Sequence, residues 1–161
     1  MISWLLNKFA NWALSKNKPG SYQGEDDNRW AYVIETDGSP YLTRILSPRI
    51  FGYRVFLHHF HRPDIDQHLH NHPWKWAASL ILNGSYTEER LEGVYGTQAI
   101  TFTQKVKRFN LLRDTDYHKV LELHGDVWTL FLTGPRIQDW GFLVEGQHVP
   151  WTEYLMKKWS E

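Results

Sequence analysis

Residues 68–84 read HLHNHPWKWAASLILNG, and the reading of this stretch decides the fold. His68, His70 and His72 alternate with other residues, so on an extended chain their imidazoles point to one side. Trp74 to Leu82 follows as a run of β-forming apolar residues, ended by Asn83-Gly84, a strong signal for a two-residue type I′ hairpin. With that turn, Leu82 faces Ser85, Ile81 faces Tyr86, Ser79 faces Glu88 and Ala77 faces Arg90. One face then carries Ala77, Ser79, Ile81, Tyr86, Glu88 and Arg90, and the other Ala78, Leu80, Leu82, Thr87 and Glu89. The first face has the composition of a site lining rather than of a dry core.

Short runs of the same kind lie on both sides of this stretch. Trp30 to Glu35, Tyr41 to Leu46 and Tyr53 to Phe60 precede it. Ser85 to Leu91, Ala99 to Thr103, Lys105 to Asn110, His118 to Leu123, Val127 to Thr133 and Asp139 to Val144 follow. Closely spaced strands broken by Asp37-Gly38, Asn83-Gly84 and His124-Gly125-Asp126, with no long helical pattern among them, predict an all-β sandwich or barrel. Pro150 to Lys158 reads as a short helix or a last strand extension. Before the strands, Ile2, Leu5, Leu6, Phe9 and Ala13 recur at helical spacing, which predicts an amphipathic helix over residues 1–15 packed on the barrel wall. Residues 16–28, rich in Gly, Pro and Asp, read as a linker, and residues 29–161 as the barrel domain.

The composition bounds the function. The 161 residues suffice for one core, and the 42% hydrophobic and 16% aromatic content excludes a disordered chain. Lys plus Arg and Asp plus Glu number 18 each, so no basic stripe favours nucleic acid as a partner. Cysteine is absent, which excludes disulfides and thiolate sites and fits a cytoplasmic protein. The segment from Met1 to Leu14 lacks the basic start and cleavage site of a signal peptide and is too short to span a bilayer.

Without cysteine, a metal must be held by His, Asp or Glu, and six of the nine histidines fall between His58 and His72. A site of three protein ligands plus an open position needs a third residue from another strand, and His118 is the candidate beside His70 and His72. His68 shares their parity but stands some 7 Å along the chain from His70. His58, His59 and His61 are assigned to packing, and His124 and His148 to solvated turns. Glu88 is a candidate ligand or general base, and Arg90 a candidate holder of a substrate carboxylate or phosphate. Arg44, Arg54 and Arg62 could face the barrel mouth.

HLHNHPWKWAASLILNG, followed by YHKVLEL and VWTLFLTG, resembles the two-motif pattern of the cupin superfamily. The resemblance makes His70 and His72 the first-motif pair, Gly84 the glycine closing the first motif and His118 the lone second-motif histidine. Tyr41 to Trp151 is also similar to small bacterial and phage cupins, through His70 to Trp74, Trp128 to Arg136 and Trp140 to Phe142. It implies a cupin-like double-stranded β-helix, or jelly-roll, barrel with a short N-terminal amphipathic helix, self-associating as a homodimer. The glutamate ligand usual in the first motif is replaced by Ala77, leaving three histidines, a set similar to that of thiol dioxygenases such as cysteine dioxygenase. The serine, histidine and tyrosine that assist those enzymes have no counterparts, since the matching strand carries Thr129, Phe131 and Thr133.

The function expected is a metal-dependent cupin enzyme, of dioxygenase or other oxygenase type, acting on a small polar molecule. Fe, Zn, Ni or Mn would sit on His70, His72 and His118, with Glu88 and Arg90 catalytic and Tyr86, Ser79 and Trp128 against the substrate. The alternatives are a cupin-type isomerase or hydrolase and a non-catalytic module that binds or sequesters a small ligand with the help of the metal.

Overall fold

The computed structural model describes residues 2–16 and 30–160, so nearly all of the expected linker lies outside the described residues. Helix α1 (Ile2–Ser15) is followed by β1 (Ala31–Thr36), β2 (Ser39–Leu46), β3 (Arg54–Phe60), β4 (Trp76–Tyr95), β5 (Gln98–Val106) and β6 (Phe109–Arg113). Next come β7 (His118–Thr133), β8 (Gly141–Val144), β9 (Gln147–Pro150) and helix α2 (Trp151–Ser160). All strand pairings are antiparallel. The all-β class is as expected, and among the described residues no helix is long and apolar enough to cross a membrane.

Two long strands generate the architecture. β4 has 20 residues and β7 has 16, and they pair along most of their length. The first part of β4 pairs with β6 on its other edge, and the second part with β5. The last part of β7 pairs with β3, which continues the layer through β2 to β1. The start of β7 meets the chain at His70, which also bridges to Phe142 of β8. β4 and β7 thus run through both layers of a double-stranded β-helix, with apolar side chains filling the space between. Phe56, Trp74, Ala77 and Phe131 form one part of that interior, and Tyr86, Val106, Val120 and Val127 another.

The expected hairpin at Asn83-Gly84 does not exist. The chain passes through these residues within β4, and His124-Gly125-Asp126 likewise lies inside β7 rather than in a turn. The two irregularities lie across from each other: Asn83 pairs with Trp128 and Ser85 with His124, with register shifts between them. Gly84 has φ +70°, and an added Cβ would lie 2.8 Å from the Asp126 carbonyl oxygen. Asn83 Nδ2 donates to that oxygen at 2.5 Å. Asn-Gly here serves a bulge, where glycine supplies positive φ and close backbone approach, and the strands bend together. The two expected faces survive, because the bulge, like a two-residue turn, brings Ile81 and Tyr86 to the same side. The pairing changes: Glu88 lies between Gln104 and Val120 and does not pair with Ser79. A smaller correction separates β5 from β6 at Lys107 and Arg108, inside the strand expected from Lys105 to Asn110.

Helix α1 covers the outer side of the β1–β2–β3–β7 layer. Its contact stripe is Leu6, Ala10, Ala13 and Leu14, packed on Ala31, Ile45, Leu57 and Trp128. Of the expected stripe, Leu6 and Ala13 pack on the sheet, while Ile2, Leu5 and Phe9 are exposed. Alanines at positions 10 and 13 let the helix axis approach the sheet closely, which a stripe of large side chains prevents. Asp126 pins the start of the helix, accepting hydrogen bonds from Ser3 Oγ and from Asn7 Nδ2, the latter at 3.2 Å.

Candidate metal centre

His70, His72 and His118 come together as one cluster, with one nitrogen from each ring lying within 4.8 Å of the others. Their ring centroids form a near-equilateral triangle with sides of 5.4, 5.0 and 5.1 Å. His118 opens β7. His70 and His72 lie on an extended segment that is not a regular strand but is fastened to β7 by reciprocal backbone bonds of 2.9 Å between His70 and His118. Such a hydrogen-bonded antiparallel pair puts both side chains on one face. His72 reaches the same point by period two, and its ring stacks on Trp74 at 5.6 Å.

The donor set fits a transition metal. Burial, the main cause, pushes the His70 pKa down to about 4, with the Asp64 charge opposing and His118 reinforcing it. His72 is held well below the usual histidine range by burial, then by His118 and His70. Both rings are neutral at pH 7, so each carries a nitrogen lone pair for a metal. The Nε2 atoms of His72 and His118 stand 2.9 Å apart, a few tenths of an ångström closer than the roughly 3.3 Å between ligands bound about 2.0–2.1 Å from one tetrahedral zinc ion.

Behind His118 lies Glu88, which is fully buried. Its Oε2 accepts from His118 Nδ1 at 2.8 Å, which turns Nε2 of that ring toward the cluster. Gln104 Nε2 donates to Glu88 Oε1 at 2.6 Å, and Asn110 Nδ2 lies 3.0 Å from both carboxylate oxygens. Burial alone would raise the Glu88 pKa, but the bond to His118 and its charge, then Gln104 and Arg90, hold it below the usual range. The carboxylate is therefore ionised and fully occupied. Gln104 and Asn110 escaped sequence reasoning, because their parity becomes readable only once the register of β5 and β6 against β4 is known.

The other candidates are spread around this centre. Arg90 binds Asp116 at 2.7 Å and stands 3.9 Å from Glu88. Tyr86 and Ser79 are buried on the inner face, with the Tyr86 hydroxyl accepting from Asn110 at 3.0 Å. Trp128, expected against the substrate, lies on the outer face beneath α1, stacked 4.1 Å from His59, because alternation along β7 turns Thr129 and Phe131 inward instead. His68 turns away from the cluster to the Tyr154 hydroxyl of α2 at 3.0 Å. His61 bonds Thr43, His124 bonds Thr87 and His148 bonds Tyr117. Arg62 is held by Thr36. His58, assigned to packing, is buried on the inner face, its ring 5.0 Å from Phe131.

Aromatic rings wall the centre: Phe131 lies 6.1 Å from His72, and Trp140 and Phe142 lie 6.3 and 6.2 Å from His70. Helix α2 backs this wall, with Trp151 stacked on Trp140 and Tyr154 on Phe142. The fold and the site together define a double-stranded β-helix protein with a three-histidine cluster.

Among solved structures, the chain is similar to an uncharacterized conserved protein with a double-stranded β-helix domain from Klebsiella pneumoniae. That likeness has TM-score 0.48 and 14% identity and covers 70% of this chain and 90% of that one. Fe(II)-HppE with an alternative substrate is similar at TM-score 0.47 and 12% identity, over 71% of this chain and 60% of that one. The oxalate decarboxylase of Lactobacillus farciminis, in a formate complex, is similar at TM-score 0.48 and 12% identity, over 86% of this chain and 43% of that one. The chain thus spans less than two thirds of the latter two proteins. No family model and no curated protein matches the chain.

Proposed function

We propose that the chain is a metal-dependent enzyme of oxygenase type, acting on a small polar molecule bound at His70, His72 and His118. The observation that carries this reading is the convergence of three imidazoles, with no carboxylate joining the cluster among the described residues. A divalent transition metal held by three protein nitrogens keeps coordination positions open for substrate, water or dioxygen and supplies Lewis-acid or redox chemistry there.

The chain's own residues have separable roles in this reading. Glu88 positions His118 and places a negative charge behind it, and Gln104 and Asn110 hold Glu88 in turn. Because both Glu88 oxygens are occupied inside the barrel, its role is positioning and not proton transfer to substrate. Arg90, engaged by Asp116, balances the Glu88 charge. Trp74, Phe131, Trp140 and Phe142 exclude bulk water and leave an apolar wall for the uncharged part of a substrate.

The test is metal analysis of protein purified without added metal, followed by oxygen-uptake measurements on the iron(II)-loaded protein across a panel of small organic acids, alcohols and thiols. Stoichiometric transition metal and substrate-dependent oxygen uptake, both lost in His72→Ala, are the expected outcomes. Protein that takes up no transition metal from any source overturns the reading.

A further inference from the structure

Three neighbouring side chains on the inner face of the first layer end in buried polar atoms that make no hydrogen bond: Arg44 Nε, His58 Nε2 and Thr129 Oγ1. The register puts them in one row, Arg44 opposite His58 across β2 and β3, and His58 opposite Thr129 across β3 and β7. Directly opposed residues keep their Cβ atoms about 4.5–5.5 Å apart on one face. The three groups therefore converge on one patch. His58 is 4% exposed and Thr129 1%, so bulk water does not satisfy them.

This row borders the metal centre. The Phe131 ring lies 5.0 Å from the His58 ring on one side and 6.1 Å from the His72 ring on the other. The Arg44 guanidinium stands 5.6 Å from the Phe56 ring, and Phe56 itself packs against His58, Trp74 and Phe131. The charge of Arg44 is felt at both His58 and His72. Elsewhere in the interior, Glu88, Asn110 and Tyr86 satisfy one another. Here a cation, an imidazole and a hydroxyl stand side by side with hydrogen-bonding capacity unused, and among the described residues no ion pair reaches Arg44.

We infer that Arg44, His58 and Thr129 form an anion-binding subsite that takes the carboxylate of a small organic acid and places the rest of the molecule beside His72. Arg44 Nε–H and the Thr129 hydroxyl each donate to a carboxylate oxygen. His58 donates from Nε2 in the tautomer that carries its proton there. Burial, then the Arg44 charge, hold this imidazole neutral. The carboxylate neutralises Arg44 and satisfies all three orphaned atoms, while Phe56 and Phe131 contact the carbon skeleton. The inference deepens the proposed function and rests on it for the position of the reacting end of the ligand.

The experiment measures the melting temperature of the metal-loaded full-length protein with lactate, malonate, succinate or glutarate. Lactamide and succinamide serve as neutral controls, and inorganic phosphate as a competing oxyanion. At least one carboxylate is expected to raise the melting temperature saturably, by a few degrees, with no effect of the matching amide. The shift is expected to vanish in Arg44→Met and to weaken at least tenfold in apparent affinity in Thr129→Val. Metal content stays at the wild-type level in both. The melting temperature of Arg44→Met without ligand is expected to equal or exceed that of wild type, because a half-buried cation with an unsatisfied Nε–H costs stability that methionine does not. Arg44→Lys serves as a folded control that keeps the charge but loses the planar fork, and it is expected to bind more weakly than wild type.

Equal protection of wild type and Arg44→Met, protection by phosphate but by no carboxylate, or no carboxylate effect on metal-loaded protein overturns the subsite. Arg44-dependent protection in protein that binds no metal keeps the subsite and overturns the metal reading, so the two failures are distinguishable.

Discussion

His118 carries two hydrogen-bonding duties, with Nδ1 committed to Glu88 and Nε2 turned toward His72. Metal-bound imidazoles are commonly oriented by such a carboxylate, and removing it typically costs 10–100-fold in metal affinity. Glu88→Gln is therefore expected to weaken metal binding by about 10–100-fold, measured by competition with a chromogenic chelator. The fold is retained, because the amide refills the same space. Replacement of His72 or His118 by Ala is expected to abolish stoichiometric metal by elemental analysis. His124→Ala and His148→Ala leave it unchanged, since those rings bond Thr87 and Tyr117 away from the cluster. At this scale the three clustered histidines were legible in the sequence, because i and i+2 parity and the choice of imidazole are local properties. The setting of Glu88 was half legible: its face was foreseen, but its partners Gln104 and Asn110 lie on strands whose register no local signal announces.

The elements are held by two unusual points, the paired bulges in β4 and β7 and the Asp126 anchor of α1. Gly84→Ala forces a Cβ to 2.8 Å from the Asp126 carbonyl at positive φ. It is expected to cost about 1–3 kcal/mol from the backbone conformation alone, with further loss from the clash, read from the midpoint of urea unfolding. Asp126 also accepts from Trp128 Nε1 at 3.1 Å and contacts His59 Nε2 at 2.6 Å. Burial would raise its pKa, but the bonds from Ser3, His59 and Trp128 outweigh this and lower it. A carboxylate depressed in the folded state contributes stability that is full above its unfolded pKa and lost as pH falls through the folded value. Docking of α1 is thus expected to weaken only below about pH 4, seen as a change in tryptophan fluorescence. Asp126→Asn is expected to lower the melting temperature at neutral pH and to remove that acid-dependent component. The helix and its position on the barrel wall were readable from sequence, but the docking stripe only in part: Leu6 and Ala13 were foreseen, while Ala10 and Leu14 take the places expected for Ile2, Leu5 and Phe9.

For the whole molecule, a ligand that binds only the folded state stabilises it by mass action, by about 2.7 kcal/mol at one hundred times its Kd. A transition metal at this concentration is expected to raise the melting temperature of metal-stripped protein saturably, with the gain absent in His72→Ala. The clustered histidines come from a segment before β4 and from the start of β7, so a metal held between them would tie together chain regions 46 residues apart. By itself the sequence determined the all-β class, the inward and outward faces of β4, the N-terminal helix and the three histidines, because alternation, helical period and ligand chemistry act over a few residues. Only the tertiary structure decided that Asn83-Gly84 bends a continuous strand instead of ending it, since an Asn-Gly pair satisfies either geometry and the partner β7 makes the choice. It also decided that Trp128 serves the helix, that Glu88 serves His118, and that Arg44, His58 and Thr129 share one row. Those relations are set by register across three or more strands, and register follows from burying a whole face at once.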